Sequence, residues 1–331
     1  MSVNKPLVII SSSPHIHSNN SISKTMREVI LALLPTTIAS VYYFRINAVI
    51  IILTAVIAAV LFEALSQKIM NRPITIKDGS AALTGLLLAF CLPPTISPIL
   101  VIFGSFCAIV IGKQVFGGLG ANIFNPAHLA RAILLASFPA AMTTWSLPNT
   151  NVDSVTSATP LALLRHCEAI FHNGTDIFYS LPSLWTLFIG NTGGSLGETC
   201  VPAILIGGLF LIYRNHIDWR IPFYYLLTVF ILTSLYGFVL DYPPFFSLYH
   251  LFAGGLMIGA FFMATDWVTS PITKKGKIIF ALGLGLLTSI IRLRGGYIEG
   301  VCYSILIMNM VTPFIDRYVK NRPFGGQKHE K

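Results

Sequence analysis

The chain has 331 residues, 54% of them hydrophobic and 11% charged, and a formal net charge of +9. Soluble domains carry about 25% charged residues, so a water-soluble globular fold is excluded and an all-α integral membrane protein is expected. Spanning β-strands would be shorter and would alternate in polarity, which this chain does not do. In a membrane protein a basic balance reflects cytoplasmic Lys and Arg, not nucleic-acid binding.

In chain order, residues 1–27 form a polar tail around SSSPHIHSNNS, without a cleavable signal. Ten apolar runs then fit membrane spans at 28–44, 46–66, 80–92, 98–113, 122–143, 199–213, 220–240, 246–264, 277–291 and 298–316. They divide the chain into a first transmembrane half (28–143), an intervening loop (144–198), a second half (199–316) and a tail (317–331). The third run is short and ends in LPP at 92–94, so a broken helix completed by irregular backbone is expected. The apolar part of 181–198 is too short to cross, and it reads as re-entrant or interfacial.

Charge placement tests this count. With the N-terminus cytoplasmic, seventeen of the 22 basic residues fall on the inner side, Lys68, Arg72, Lys77, Lys113, Arg214 and Arg220 among them. Arg45, Arg165, Arg292 and Arg294 fall outside, and Arg131 lies within a span. Both termini are then cytoplasmic, and the 144–183 loop faces outward.

Polar groups and helix breakers at membrane depth mark functional positions. They concentrate in DGSAALTGLLLAFCLPPTISP (78–98), GKQVFGGLGANIFNPAHLAR (112–131) and HLFAGGLMIGAFFMATDWVTSPITKKGK (250–277). GLLLAFCLPPTISP (85–98) weakly echoes GAFFMATDWVTSP (259–271), and the break at Asn125–Pro126 echoes Asn309 followed by Pro313. Such paired breaks suit an inverted repeat of five plus five spans. Glu63, Asp266 and Glu299 suit a proton or cation route. The alternative for each is a headgroup-level carboxylate, solvated or bound to Lys or Arg. Arg131 needs an anionic or carbonyl partner, supplied either by a structural ion pair or by a cofactor. His128 and His250 read as hydrogen-bonded packing residues, with no second ligand at helical spacing. Cys91, Cys107, Cys167, Cys200 and Cys302 show no metal-binding spacing, so no zinc site, chain-borne iron–sulfur cluster or disulfide framework is expected.

Residues 153–161 read DSVTSATPL in the longest polar segment of the chain. Its hydroxyl and Asp side chains before Pro160 suit a turn. Thr159 is then either a turn residue or a reactive hydroxyl.

Together with TGLLLAFCLPP (84–94), FGGLGANIFNPA (116–127), GSLGET (194–199), FFMATDWVTSPIT (261–273) and MNMVTPFIDR (308–317), this segment resembles the D-subunit family of the Rnf (Rsx) electron-transport complexes. The B subunit of the sodium-translocating NADH:quinone reductase is its near relative. The resemblance covers about residues 25–320. That only about 27 residues precede the first span favours the Rnf side.

The resemblance implies FMN joined through its phosphate to a Thr in the motif D-x-x-[S/T]-G-A-T, made by a separate flavin transferase. Asp153, Thr156, Ala158 and Thr159 match it, so Thr159 is the expected attachment site. Ser157 stands where the family usually has Gly, which puts the efficiency of the modification in doubt. The resemblance also implies a second, non-covalent flavin, riboflavin, near Asn122 and Asn125. The alternative role of both Asn residues is to cap the start of span 5, with Pro126 in its first turn. The expected function is that of an electron-carrier subunit in the bacterial inner membrane. It would pass electrons between flavins, coupled to Na+ or H+ movement, within a complex that exchanges electrons between ferredoxin and NAD. NAD and iron–sulfur centres would sit on partner subunits, and the chain alone would have no complete activity. The open alternatives are a quinone-reductase subunit, a non-redox transporter or channel, and a scaffold that has lost its flavin.

Overall fold

A computed structural model describes residues 21–148, 158–171 and 181–320, and among them there is helix and no strand. Helix α1 (Ile22–Ala32) is capped by Ser21, whose hydroxyl accepts the Lys24 N–H at 3.2 Å. Helix α2 (Leu34–Ile69) has 36 residues, or roughly 54 Å, which far exceeds the ~30 Å of hydrocarbon. It breaks at Arg45 (φ 51, ψ −130), where the first two apolar runs meet. There follow α3 (Ser80–Phe90) and α4 (Pro98–Phe106), which runs into a π-helical turn over Cys107–Gln114. Next come α5 (Pro126–Ser137), α6 (Pro139–Thr143), α7 (Pro160–Phe171) and α8 (Leu184–Ile189). The remainder is α9 (Val201–Tyr213), α10 (Arg220–Val239), α11 (Phe246–Phe252), α12 (Leu256–Ile258) with a second π turn at Gly259–Met263, α13 (Lys274–Arg294) and α14 (Val301–Tyr318).

Each of the ten apolar runs contains helix, although 122–143 is helical only from Pro126 and is divided at Phe138 into α5 and α6. Three helical stretches are long and apolar enough to cross a bilayer: Ile22–Ile69, Arg220–Val239 and Lys274–Arg294. The pair Phe246–Phe252 and Leu256–Met263, bent by 63°, passes the same test as one broken span. Helix α3 stops at Phe90 and gives way to a turn, as its LPP sequence predicts. Segment 181–198 contributes only the six residues of α8, closed by Gly190 in the left-handed region (φ 102). A Cβ there would lie 1.3 Å from the Thr199 carbonyl oxygen, so only glycine fits.

The halves share one order of neighbours. Helix α2 packs on α3 and α4, and the π turn after α4 packs on α5; correspondingly α10 packs on α11 and α13, and α13 on α14. Helix α5 meets α14 and α1 meets α9 across the join. A single apolar core links them, with Ile51, Leu88, Phe90 and Leu134 from the first half and Tyr225, Phe280, Leu284 and Ile305 from the second. At Gly85 the backbones approach so closely that a Cβ would lie 2.7 Å from Ala55 O. Outward, α2 bares Ile46, Ile50, Leu53, Ile57, Leu61 and Leu65 as one stripe at helical spacing. A soluble monomer covers such a face, whereas lipid solvates it. The chain is a membrane protein by its outside as well as by its composition.

Candidate functional site

Two cavities collect most of the polar residues singled out by sequence. The first has a volume of about 540 Å³ and is lined by Thr159, Arg131, Glu198, Glu299, Trp145, Tyr297 and Tyr303, with apolar residues between them. Thr159 is half-buried. Its hydroxyl accepts the Ala162 N–H at 3.2 Å and its carbonyl the Leu163 N–H at 2.9 Å. It is thus the N-cap of α7, with Pro160 as the first helical residue. The turn reading holds, and the same geometry sets the hydroxyl on a cavity wall. Exposed Ala158 lines the cavity beside it. Asp153, Thr156 and Ser157 lie outside the described residues.

Arg131, 7% exposed, pairs with Glu299. That carboxylate also accepts the Gly255 N–H at 2.9 Å. The arginine that required an anionic partner finds it 168 residues away in sequence. Glu299 thereby serves the break between α11 and α12. On the other side of that break the buried Arg292 guanidinium donates to His250 O and, at 3.2 Å, to Ala253 O. A cation at the end of one half-helix and a carboxylate at the start of the next satisfy the peptide groups that the break exposes. The positive-inside count assigns Arg292 to the outer side; its side chain is buried against the break. Glu198 was missed by sequence reasoning, although it stands in GSLGET. Its carboxylate accepts the Ser195 N–H at 3.4 Å beside the same cavity.

The second cavity, about 290 Å³, is lined by Asn122, Asn125, Asp266, Ser80, Lys113, His216 and Trp267 among others. Asn125 is the cap of α5: its Oδ1 accepts the Ala127 and His128 N–H groups at 3.1 and 3.4 Å. Its Nδ2 donates to Met263 O at 3.2 Å. Asn122 caps nothing and donates to Phe124 O at 3.0 Å. The capping alternative therefore holds for Asn125 and not for Asn122, although both side-chain amides donate to a backbone carbonyl. Asp266 accepts the Thr269 hydroxyl at 3.2 Å. Trp267 donates to His216 O at 2.6 Å, and the His216 ring and Arg214 both bind Glu28. Sequence reasoning missed this Glu28 cluster, because its members lie in three separate segments.

Glu63 lies apart from both carboxylates named with it. It is 1% exposed, as is Lys113, and the Lys113 ammonium donates to its Oε1 at 2.6 Å. Gln114 donates to the same oxygen at 2.9 Å. Of the alternatives for Glu63, binding to Lys is what the structure shows and solvation is excluded, and Lys113 is no surface charge. Consecutive residues 113 and 114 both reach Glu63 because they sit in the π turn, which sequence periodicity does not announce. His128 is buried, and neither ring nitrogen has a hydrogen-bond partner among the described residues, contrary to the hydrogen-bonded role expected of it.

With this geometry in view, comparison with known proteins is specific. The family model described as the NQR2, RnfD, RnfE family matches residues 9–325. The chain is 51% identical over 328 residues to the D subunit of the proton-translocating ferredoxin:NAD(+) oxidoreductase complex of Clostridium ljungdahlii, covering 98% of each chain. It is 48% identical to the D subunit of the Na(+)-translocating ferredoxin:NAD(+) oxidoreductase complex of Acetobacterium woodii, covering 99% of each. It is 40% identical to the D subunit of the ion-translocating oxidoreductase complex of Stutzerimonas stutzeri, over 92% of this chain and 93% of the relative. A match along nearly the whole length, by family model and by individual relatives alike, makes this chain a member of the NQR2, RnfD, RnfE family.

Proposed function

We propose that this chain is the electron-carrier membrane subunit of an ion-translocating ferredoxin:NAD+ oxidoreductase complex, with FMN esterified to the Thr159 hydroxyl. The observation that carries the reading is the place of Thr159. Its oxygen caps the N-terminus of α7 and lines a cavity that also holds Arg131. A phosphate ester there would gain from the helix dipole at the start of α7. The cavity falls within the ~300–1,000 Å³ of ordinary ligand sites, and Trp145, Tyr297 and Tyr303 offer aromatic surface to a planar ring. A bound flavin would supply the redox chemistry; the chain supplies the tether, the charge of the Arg131–Glu299 pair and protection from water. The Asn122 cavity is the place for a non-covalent riboflavin, with Asn122 the better hydrogen-bonding partner.

The shared order of neighbours in the halves supports ten crossings arranged as an inverted repeat. In the bacterial inner membrane both termini would then be cytoplasmic and Thr159 periplasmic, and a cysteine probe at position 173 should label from the periplasm. Cluster-bearing and NAD-binding subunits and the flavin transferase are the partners. The relatives at 51% and 48% identity are named for different ions, so similarity alone leaves the ion open.

The test is expression of the complex with its flavin transferase, followed by denaturing electrophoresis. The band of this chain should fluoresce, its intact mass should rise by one FMN less water, and both signals should vanish in Thr159→Ala. A non-fluorescent wild-type band in the presence of the transferase would overturn the reading.

A further inference from the structure

The Glu63–Lys113 pair does not end at itself. The Lys113 ammonium also donates to Ser80 Oγ at 2.6 Å, and the Ser80 hydroxyl donates to Asp78 Oδ1 at 2.7 Å. Asp78 is only half-buried, in the polar loop between α2 and α3, whereas Glu63 and Lys113 are each 1% exposed and Ser80 3%. A chain of hydrogen bonds thus runs from the edge of the membrane domain to an interior carboxylate, and every link is an oxygen or nitrogen able to exchange a proton. Glu63 Oε2 has no hydrogen-bond partner among the described residues, so the inner end of the chain keeps an acceptor open. Ser80 and Lys113 also line the Asn122 cavity. A structural ion pair needs neither the serine link nor an orphan oxygen. It is stable when its lone pairs are satisfied, and this one is left incomplete.

We propose that Asp78, Ser80, Lys113 and Glu63 form a proton relay between the aqueous face and the membrane interior. This rests on the ion-translocating reading above and assigns the proton as the ion that this subunit moves. In the outward hop the bonds lie as drawn. A Lys113 N–H proton passes to Ser80 Oγ as the Ser80 O–H proton passes to the Asp78 carboxylate, leaving a neutral amine and a protonated Asp78. Glu63 takes up a proton at its open Oε2 from the membrane interior, turns that oxygen towards the amine and gives the proton up, which restores the ammonium and leaves Glu63 a carboxylate. Inward movement is the reverse, after the Ser80 hydroxyl has turned towards the amine. No electron is exchanged, and one proton enters for each that leaves.

The decisive variant is Ser80→Ala, which removes the middle link and leaves the Glu63–Lys113–Gln114 contacts in place. Ser80→Thr keeps a hydroxyl and serves as the rescue. The whole complex in vesicles, driven by reduced ferredoxin and NAD+, is followed by NADH formation and by a pH-sensitive dye, in sodium-free buffer. Wild type should acidify the lumen. Ser80→Ala should lower the rate of proton movement at least tenfold with normal subunit content, and Ser80→Thr should restore it. Proton movement by Ser80→Ala at the wild-type rate would overturn the relay. Ferredoxin-driven NADH formation in the wild type with uptake carried by sodium alone would also overturn it, while leaving the electron-carrier reading intact. Only loss of ferredoxin-dependent NADH formation in the wild type itself would count against that reading.

Discussion

Asn125 and Asn309 hold each other across the join between the two halves. With its amide turned to satisfy both groups, Asn309 accepts the Asn125 N–H at 3.0 Å and donates to Ile305 O at 3.2 Å. These are the two positions at which the sequence places matching breaks, and both are buried. One is the cap of α5, the other an interior residue of α14, four positions before Pro313. Only Asn125 stands at a break, whereas α14 runs unbroken through Asn309 and Pro313.

Asn125→Ala should therefore cost more than an ordinary cap. Loss of the cap alone costs about 1 kcal/mol, and the Met263 carbonyl loses its donor as well. Asn125→Asp keeps the cap oxygen and loses the donor, so its melting temperature should lie between those of wild type and Asn125→Ala. Equal melting temperatures for wild type and Asn125→Asp would mean that the Met263 link contributes nothing.

The Arg131–Glu299 pair is nearly enclosed, with side-chain exposures of 9% and 17%. Removing one partner of a buried pair typically costs about 3–5 kcal/mol, because the other is left uncompensated. Arg131→Met should destabilise the purified protein on that scale. Arg131→Met combined with Glu299→Gln should recover much of the loss, since glutamine still accepts the Gly255 N–H. Additive losses in thermal melting would show that the two residues act independently.

Gly190→Ala should disturb the turn between α8 and α9. Its φ of 102 and the 1.3 Å approach to Thr199 O act together. Strained backbone alone is worth of order 1–3 kcal/mol, and the steric overlap adds a displacement of the 190–200 segment. Faster proteolytic cleavage in that segment is the expected readout; an unchanged cleavage pattern would contradict it.

Asp218 lies in the loop before α10. Burial pushes its carboxyl up, but the Arg220 backbone N–H and the Lys277 ammonium outweigh burial and hold it below the usual aspartate range. A depressed carboxyl stabilises the fold above its unfolded pKa, and the contribution is lost as pH falls through the folded value. Asp218→Asn should thus lower stability slightly at pH 7, by about 1 kcal/mol or less for so exposed a pair. The difference from wild type should close as the buffer is taken well below the ordinary aspartate pKa of about 3.9. A gap that persists in acid would point to packing and not to charge.

Helix positions were readable because apolar runs of that length have few other uses, and the boundary at Arg45 fell out of the same pattern. The cap at Asn125 was readable from Asn-Pro alone. Partners were not. Nothing near Arg131 in sequence points to Glu299, and nothing near Lys113 points to Glu63; each pair is closed by tertiary packing. The burial of Lys113 and Arg292 was not legible for one reason: a charge at the edge of an apolar run has the same sequence signature whether it faces water or folds inward. Thr159 needed the resemblance to be noticed as reactive. Its surroundings needed three dimensions, since the cavity draws on α5, α7 and the segments flanking α14.

The π turn at Cys107–Gln114 has a genetic corollary. An ordinary α-helix advances by about 100° per residue and a π turn by less, so a deletion here is absorbed by tightening the winding, whereas a single-codon insertion between Cys107 and Gly112 would swing both amine and amide away from the acid they serve. Hydropathy would barely change, and the altered chain would still insert as a greasy helix. An upper limit on length, more than composition, is what this stretch has to conserve.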